Sequence, residues 1–468
     1  MAARLHIAFL AALALALAVP GLAWAYQPGP GALAGPRGSA PGSLVWAKVS
    51  ALTANIDQIN DVAAGPGGSV YAVGEANGTW SNQGDLLVVK YTASGGVAWR
   101  RTYDGPDGLQ DYGWALAVDH AGNVVAVGVS NTVASGSDML VVKYDAAGNQ
   151  KWVVDFNGAG NGDDVARDVV FGSSGKIFVA GMCTVESVPT VVTEAYELEI
   201  SSAGTVVNQV GYSGAGSDAE GVAIAKDGSG NTYVAGTTHD TGTTSSIILF
   251  KTSSAGAPVW MHELTTAGHT NDAAKDIAFG NGAVYVCGTS VPVPAHHDDA
   301  LVVKYSPAGS FQWARTWDGA AHEVDQANAL AVDNAGDVYA AGLSWQFGGA
   351  KYKALLLKWD AAGHRKWVKL DGSTKTFKWA GFEDVVVDNA GHAWCGGWAA
   401  RKSGDIDWFL TKHAANGSQS WMATFGGASH GDDSCQSLAL GGSSALFAGG
   451  SVQGSTTGYD VAVAKFVP

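Results

Sequence analysis

Residues 111–156 read DYGWALAVDHAGNVVAVGVSNTVASGSDMLVVKYDAAGNQKWVVDF. Within them WALAV, VVAVG, DMLVVKY and QKWVVDF are short apolar and aromatic runs of the kind that form strands. DHAGN and DAAGN place Asp, Asn and Gly where a tight turn demands unusual backbone dihedrals, and connections this short force antiparallel hairpins. The middle connection is longer and irregular. The segment therefore reads as four antiparallel strands. No stretch after the first 25 residues holds apolar residues at i, i+3, i+4 and i+7 over three turns, so helix is expected to be nearly absent.

The same unit recurs along the chain. A Gly followed four residues later by Trp marks Trp46, Trp99, Trp152, Trp260, Trp313, Trp367 and Trp421, while Gly204 and Asn208 hold the register in the copy without a Trp, giving spacings of 52 to 56. A Lys near the end of an apolar run recurs at 90, 143, 251, 304, 358, 412 and 465, with Glu197 in the remaining slot. A Gly closes the second strand at 74, 128, 181, 236, 288, 342, 397 and 450. Three markers agree on eight copies of a four-stranded unit, the pattern of β-propeller blades. Residues 43–49 supply only a Trp strand, whereas 437–440, 446–449 and 460–467 supply three strands and stop before their Trp. The expected fold is thus all-β: a closed β-propeller of eight four-stranded blades over 43–468, the last blade completed by the N-terminal strand. Pairing the two end segments removes sheet edges that would invite aggregation.

Units such as DYGWALAVDHAGNVVAVG followed by DMLVVKYDAAGNQKW resemble the repeat of secreted bacterial β-propeller proteins, the seven-bladed beta-propeller (SBBP) repeat family, over residues 43–468. The resemblance implies an extracytoplasmic protein without an agreed catalytic motif; the eight copies counted exceed the seven of the family's name. The turn from Asp145 to Trp152 is also similar to that of the tryptophan-docking propellers of quinoprotein dehydrogenases, a likeness of packing rather than chemistry.

Composition narrows the function classes. Charged residues make up 15% of the chain, against roughly 25% in an average soluble protein, and 27 Lys and Arg face 42 Asp and Glu, a formal charge of −15. An acidic chain without a basic cluster repels phosphate backbones, so nucleic acid is not an expected partner. Residues 1–25 read as a secretory signal peptide: Arg4 gives the basic start, Ile7 to Val19 the apolar run, and Ala23-Trp24-Ala25 the cleavage site. Tyr26 rather than Cys follows, which argues against a lipid anchor, and 26–42 is a Pro/Gly-rich linker. The expected product is a monomer, secreted or periplasmic, with no later membrane span.

Enzyme signatures fail one by one. His322-Glu323 begins a zinc-protease motif, but position 326 is Gln; Gly175-Lys176 lacks the rest of a phosphate loop; no G-x-S-x-G occurs. Cys183, Cys287, Cys395 and Cys435 are isolated, and Cys395 with Cys435, on neighbouring blades, is the one disulfide worth considering. No cofactor is expected. The repeat Trp residues should wedge between blades, and the repeat Lys should reach an Asp of an adjacent blade or extend to solvent.

Two constellations carry candidate chemistry. Asp111, Asp164, Asp272, Asp325 and Asp433 stand twelve residues after a repeat Trp, with Asp57 and Asp218 nearby in their units. One reading has each carboxylate accept N–H groups in its own loop. The other adds His269, His322 and His430, nine residues after a repeat Trp, to Asp272, Asp325 and Asp433 as ligands of a divalent cation. Loops after the second strands carry Trp80, Trp345, Phe347, Tyr352 and Trp398, aromatic platforms suited to a glycan, a cell-wall component or a protein. The leading expectation is a noncatalytic extracytoplasmic binding or scaffold propeller; the alternative is a secreted polysaccharide hydrolase or lyase using carboxylates at the channel mouth.

Overall fold

The structure is a computed structural model describing residues 43–50, 56–79, 83–186, 191–214, 218–239, 244–293, 297–346, 351–372, 377–427, 431–442, 445–454 and 458–467. The chain divides into Met1–Ala32 and Leu33–Pro468, and every described residue belongs to the second unit. The expected signal peptide 1–25, the linker 26–42, and Trp80, Phe347 and His430 lie outside the described residues.

Asp111–Val118, Val124–Thr132, Gly136–Tyr144 and Gln150–Phe156 form one four-stranded antiparallel sheet in chain order. The turn after Val118 is built as its sequence demands: the Asp119 carboxylate accepts the N–H groups of Ala121 and Asn123 at 2.9 and 2.8 Å, which shapes a tight hairpin. The second and third strands are buried almost throughout, whereas the fourth is half-buried to exposed along its length. Middle strands covered on both faces read as unbroken apolar runs, which explains VVAVG and MLVV.

The pattern repeats. Residues 56–103, 325–371 and 377–425 form separate four-stranded sheets, and the four-stranded groups 165–212, 218–264 and 269–317 are joined into a twelve-stranded sheet by single parallel bridges from Thr193 to Asp218 and from Ser245 to Asn271. Ser434–Leu440, Leu446–Gln453 and Tyr459–Phe466 take a fourth, antiparallel partner from Leu44–Ser50, with Trp46 opposite Lys465. Among the described residues there is no α-helix, only two short 3-10 turns at Pro66–Gly68 and Ser173–Gly175, and no helix is long and apolar enough to cross a membrane.

Apolar cores lie between successive groups. Tyr71, Val73 and Trp99 meet Leu116, Val124 and Tyr144, and the first group also meets the last, with Ile59, Val62 and Tyr91 against Phe447, Val461 and Val463. Each repeat Trp reaches across such a boundary. Gly148 (φ +81) shows why the turn Gly recurs: a Cβ there would sit 2.7 Å from Cδ2 of Trp99. At Gly128 a Cβ would meet Tyr112 O at 1.9 Å, so the second strand closes against the first only through a Gly.

The repeat Lys does not go where expected. Lys90 Nζ and Trp99 Nε1 both donate to Ala146 O, in the next group's turn, at 2.9 and 3.1 Å. Lys251 and Trp260 share Pro307 O, Lys304 and Trp313 share Ala361 O, Lys358 and Trp367 share Ala415 O, and Lys465 and Trp46 share Ala93 O. A backbone carbonyl rather than an Asp of the neighbour is the recurring acceptor; Lys358 adds Asp337, 2.9 Å away within its own group. The slot assigned to Glu197 belongs to Glu199, which pairs with Asn208 as Lys143 pairs with Trp152. Two extra residues between Trp152 and Asn208 displaced the count. Cys395 and Cys435 are both free and buried, so the disulfide considered between them is absent.

Candidate functional site

Because the strands alternate in direction, the connections after second and fourth strands leave from one side of the sheets and the tight turns from the other. On the former side, Trp345 ends Val338–Gln346 and Tyr352 begins Lys351–Trp359. The two are cross-strand partners, their rings edge to face at 4.7 Å, and both are half-buried. They lie on strands rather than in the loop expected to carry them, because this hairpin continues its pairing beyond the apolar core. Around them Gln326 Nε2 donates to Asp298 Oδ2 at 3.1 Å, Trp345 N to Val324 O at 2.9 Å, and His297 stands 3.5 Å from Glu323. Burial pushes the Tyr352 phenol up, and the negative charges of Asp298 and Glu323 add to it. Trp398 also lies on a strand, Ala393–Arg401; its Nε1 donates to Glu383 Oε1 at 2.8 Å and its ring covers Gly381.

The Asp and His set is dispersed into its own loops. Asp325 Oδ2 accepts Gly319 N at 2.5 Å, Asp433 accepts Gly427 N and Gln453 N at 2.6 and 2.7 Å, and Asp272 accepts Thr266 N. His269 Nδ1 pairs with Ser290 Oγ at 2.8 Å, and His322 is exposed and turned to Asp318. Among the described residues no three His, Cys, Asp or Glu side chains are grouped to hold a metal ion. Burial raises Asp325 to about 6, Asp433 to about 7 and Asp299 to about 7, the last helped by Asp318 and Asp325.

A second carboxylate set was not singled out from the sequence. Asp61, Asp168, Asp276 and Asp384 each follow the bulge in the first strand of alternate groups, where the intervening groups carry Ala115, Ala223, Ala329 and Ser437. Each carboxylate clamps two groups. Asp276 accepts its own Ile277 N at 2.7 Å and Leu330 N of the next group at 2.8 Å; Asp61 does so with Val62 and Leu116, Asp168 with Val169 and Ile224, and Asp384 with Val385 and Leu438. Ser437 Oγ donates to Asp61 Oδ1 at 2.7 Å, linking the last group to the first. Burial raises Asp168 and Asp384 to about 6 and Asp276 to about 7, and the carboxylates also raise one another: Asp276 responds to Asp384 and Asp168, and both Asp168 and Asp384 to Asp61. The signal in the sequence was an Asp recurring every second repeat.

These elements define an all-β protein of four-stranded groups packed face to face, the organisation of a propeller. No family model matches the chain. It is similar to the β-propeller domain of the Trilobed protease from Pyrococcus furiosus, at 10% identity over 76% of this chain and 94% of that one with a TM-score of 0.42. It is also similar to a protein of unknown function from Dyadobacter fermentans, at 11% identity over 91% and 99% of the two chains with a TM-score of 0.40. Among curated sequences, the regulatory protein FlaEY of Caulobacter vibrioides is 27% identical over 176 residues, 32% of this chain. The match spans 18% of that protein's length.

Proposed function

We propose that the chain is an exported, monomeric, eight-bladed propeller of the SBBP kind, closed by pairing Leu44–Ser50 with Tyr459–Phe466, that binds a glycan, cell-wall component or protein without catalysis. The pairing of Trp46 with Lys465 and the core shared by first and last groups support closure. The binding reading rests on one observation, the Trp345–Tyr352 pair at 4.7 Å, on a hairpin whose Trp345 N–H bonds to Val324 O, with the Gln326–Asp298 hydrogen bond in the adjoining segments. Two perpendicular rings offer a sugar or a side chain an apolar seat, and the amide and carboxylate of the adjoining segments supply directional hydrogen bonds. A glycan array probed with residues 26–468 tests this: a hit that Trp345→Ala weakens about tenfold or more supports the reading, since one lost stacking contact is worth ~1–3 kcal/mol. No hit in the array and no protein captured from the cell envelope would defeat it.

The alternative, a polysaccharide hydrolase or lyase, draws on Asp299 and Asp325, carboxyls raised by burial to about 7 and 6, with the Asp325 charge adding to the rise of Asp299. Such a pair holds a proton near neutral pH, as a general acid must. Product release from a polysaccharide, abolished by Asp299→Asn, would favour this reading over binding alone.

A further inference from the structure

The half-buried arginines among the described residues point Nε at an acceptor, with one exception. Arg101 Nε donates to Gly148 O and Arg315 Nε to Gly363 O, both at 2.7 Å, and Arg401 Nε donates to Asp407 Oδ2. Arg167 departs from this. Its Nε is buried without an acceptor among the described residues, and its ion pair, from Nη2 to Glu220 Oε2, is 3.7 Å long. A planar fork of N–H donors is thus left with one weak partner, although a guanidinium partly out of water favours a carboxylate held by two parallel hydrogen bonds. The Arg167 and Glu220 side chains keep 30% and 28% of their surface accessible, so a ligand can reach both.

Bulges in the first strands put Arg167 there. The register between first and second strands slips by one residue in each group, and among the residues this leaves without a cross-strand partner are Asn60, Trp114, Arg167 and Asn328. A bulge re-aims its extra side chain. Asn60 and Asn328 turn theirs to the next group, donating Nδ2 to Gly113 O at 2.7 Å and to Phe382 O at 3.0 Å. Arg167 instead lies over the Trp114 ring of the preceding group, 5.3 Å from its centre, and Trp114 meets Tyr112 edge to face at 5.1 Å. Three successive first strands, Asp111–Val118, Val165–Phe171 and Asp218–Lys226, thereby bring a guanidinium, a carboxylate and two half-buried rings together.

That mixture selects its ligand. An anion with nothing to donate would meet Glu220 beside Arg167 and be repelled, whereas a ligand with both carboxylate and hydroxyl groups gives its carboxylate to Arg167 and a hydroxyl proton to Glu220. The apolar face of a sugar ring suits the aromatic pair. We propose that Arg167, Glu220, Trp114 and Tyr112 form a seat for a sugar acid, a uronate unit of an acidic glycan, separate from the Trp345–Tyr352 pair. In the closed ring proposed above this seat faces the axis, but its contacts hold without closure.

Isothermal titration of the mature chain with trigalacturonate and with the neutral trisaccharide galactotriose tests the seat, and this comparison needs no variant. The acidic sugar is expected to bind and the neutral one not. Arg167→Lys, which keeps the charge and loses the fork, should weaken binding about tenfold or more, the usual worth of hydrogen bonds to a charged group, with Tm unchanged. Trp345→Ala should leave the affinity for trigalacturonate as it is. Absence of trigalacturonate binding, equal affinity for galactotriose, or an Arg167→Lys variant that binds as tightly as the mature chain would overturn the proposal. So would displacement of the sugar, at equal concentration, by inorganic phosphate or by a triglutamate peptide, which would assign the seat to anions at large or to an acidic protein.

Discussion

Trp46 Nε1 and Lys465 Nζ donate to the same carbonyl oxygen, that of Ala93, at 3.1 and 3.4 Å. Trp46 belongs to the first described strand and Lys465 to the last, so one oxygen in the first group's turn receives both ends of the described chain. The same arrangement at Ala146, Pro307, Ala361 and Ala415 joins groups that are continuous in sequence. At Ala93 it joins a sheet assembled from segments at opposite ends of that chain, which is the basis of the closed-ring account.

Removing residues 43–50 should therefore damage more than an outer strand. The deletion takes away Trp46 and uncovers part of the core that Phe447, Val461 and Val463 share with Ile59 and Val62. The deletion also removes Leu44, a buried residue of the core, and loss of a buried Leu side chain typically costs ~2–5 kcal/mol, while an uncovered strand edge promotes association. The expected result is a clearly lower Tm and early elution on size exclusion; a shortened chain that melts and elutes like the mature one would contradict the role of Trp46.

Trp99→Ala and Trp345→Ala should separate packing from binding. Trp99 is 8% exposed and lies within the core shared by the first two groups, so its loss should cost ~3–5 kcal/mol in urea unfolding. Trp345 is half-buried at a hairpin end, and its loss should cost ~1 kcal/mol or less. Gly148→Ala should resemble the Trp99 change in kind, costing ~1–3 kcal/mol, because it imposes a Cβ at φ +81 and 2.7 Å from the Trp99 ring. Equal costs for Trp99→Ala and Trp345→Ala would move Trp345 into the core.

Stability should depend on pH in an unusual direction. Burial holds Asp168 and Asp384 at about 6 and Asp276 at about 7, above the ~3.9 of an aspartate in an unfolded chain. Between about pH 4 and 7 the folded chain thus binds more protons than the unfolded one, and its stability falls as pH rises through 6 to 7. Below about pH 4 the trend reverses, because Asp145 and Asp360 are held low by hydrogen bonds from Asn149 and from His364 N. Tm measured at intervals from about pH 4 to 8 should decline toward the alkaline end, and Asp276→Asn should reduce that slope. A Tm that climbs from about pH 5 to 8 would show the alternating carboxylates to be ordinary ionised acceptors.

Much of the fold was legible because its determinants are residue types that recur in register. The turn Gly must be Gly at 148, where the Trp99 ring leaves no room, and both members of that contact are visible in the sequence. The acceptor of Lys90 was not legible, since Ala146 contributes a carbonyl that any residue would offer. Glu199 was missed for Glu197 because a fixed period cannot register a two-residue insertion. Asp61 and its counterparts were hidden by averaging single repeats, although their spacing is that of blade pairs. At the candidate site, Trp345 and Tyr352 were found as residues but misplaced on a loop, because continued pairing past the core leaves no apolar trace. The Trp345 N–H bond to Val324 O and the Gln326–Asp298 hydrogen bond join neighbouring segments that only the fold brings together.

Hydrogen exchange of the segment Leu44–Ser50, followed by mass spectrometry in the mature chain, tests closure most directly. Its natural standard is Val97–Tyr103, the outer strand of the first group, which occupies the same place in a continuous sheet. If Leu44–Ser50 closes the ring through Tyr459–Phe466, the two segments should show comparable protection, lasting minutes or longer. Exchange of Leu44–Ser50 at the rate of an unstructured peptide, while Val97–Tyr103 stays protected, would contradict the closed propeller.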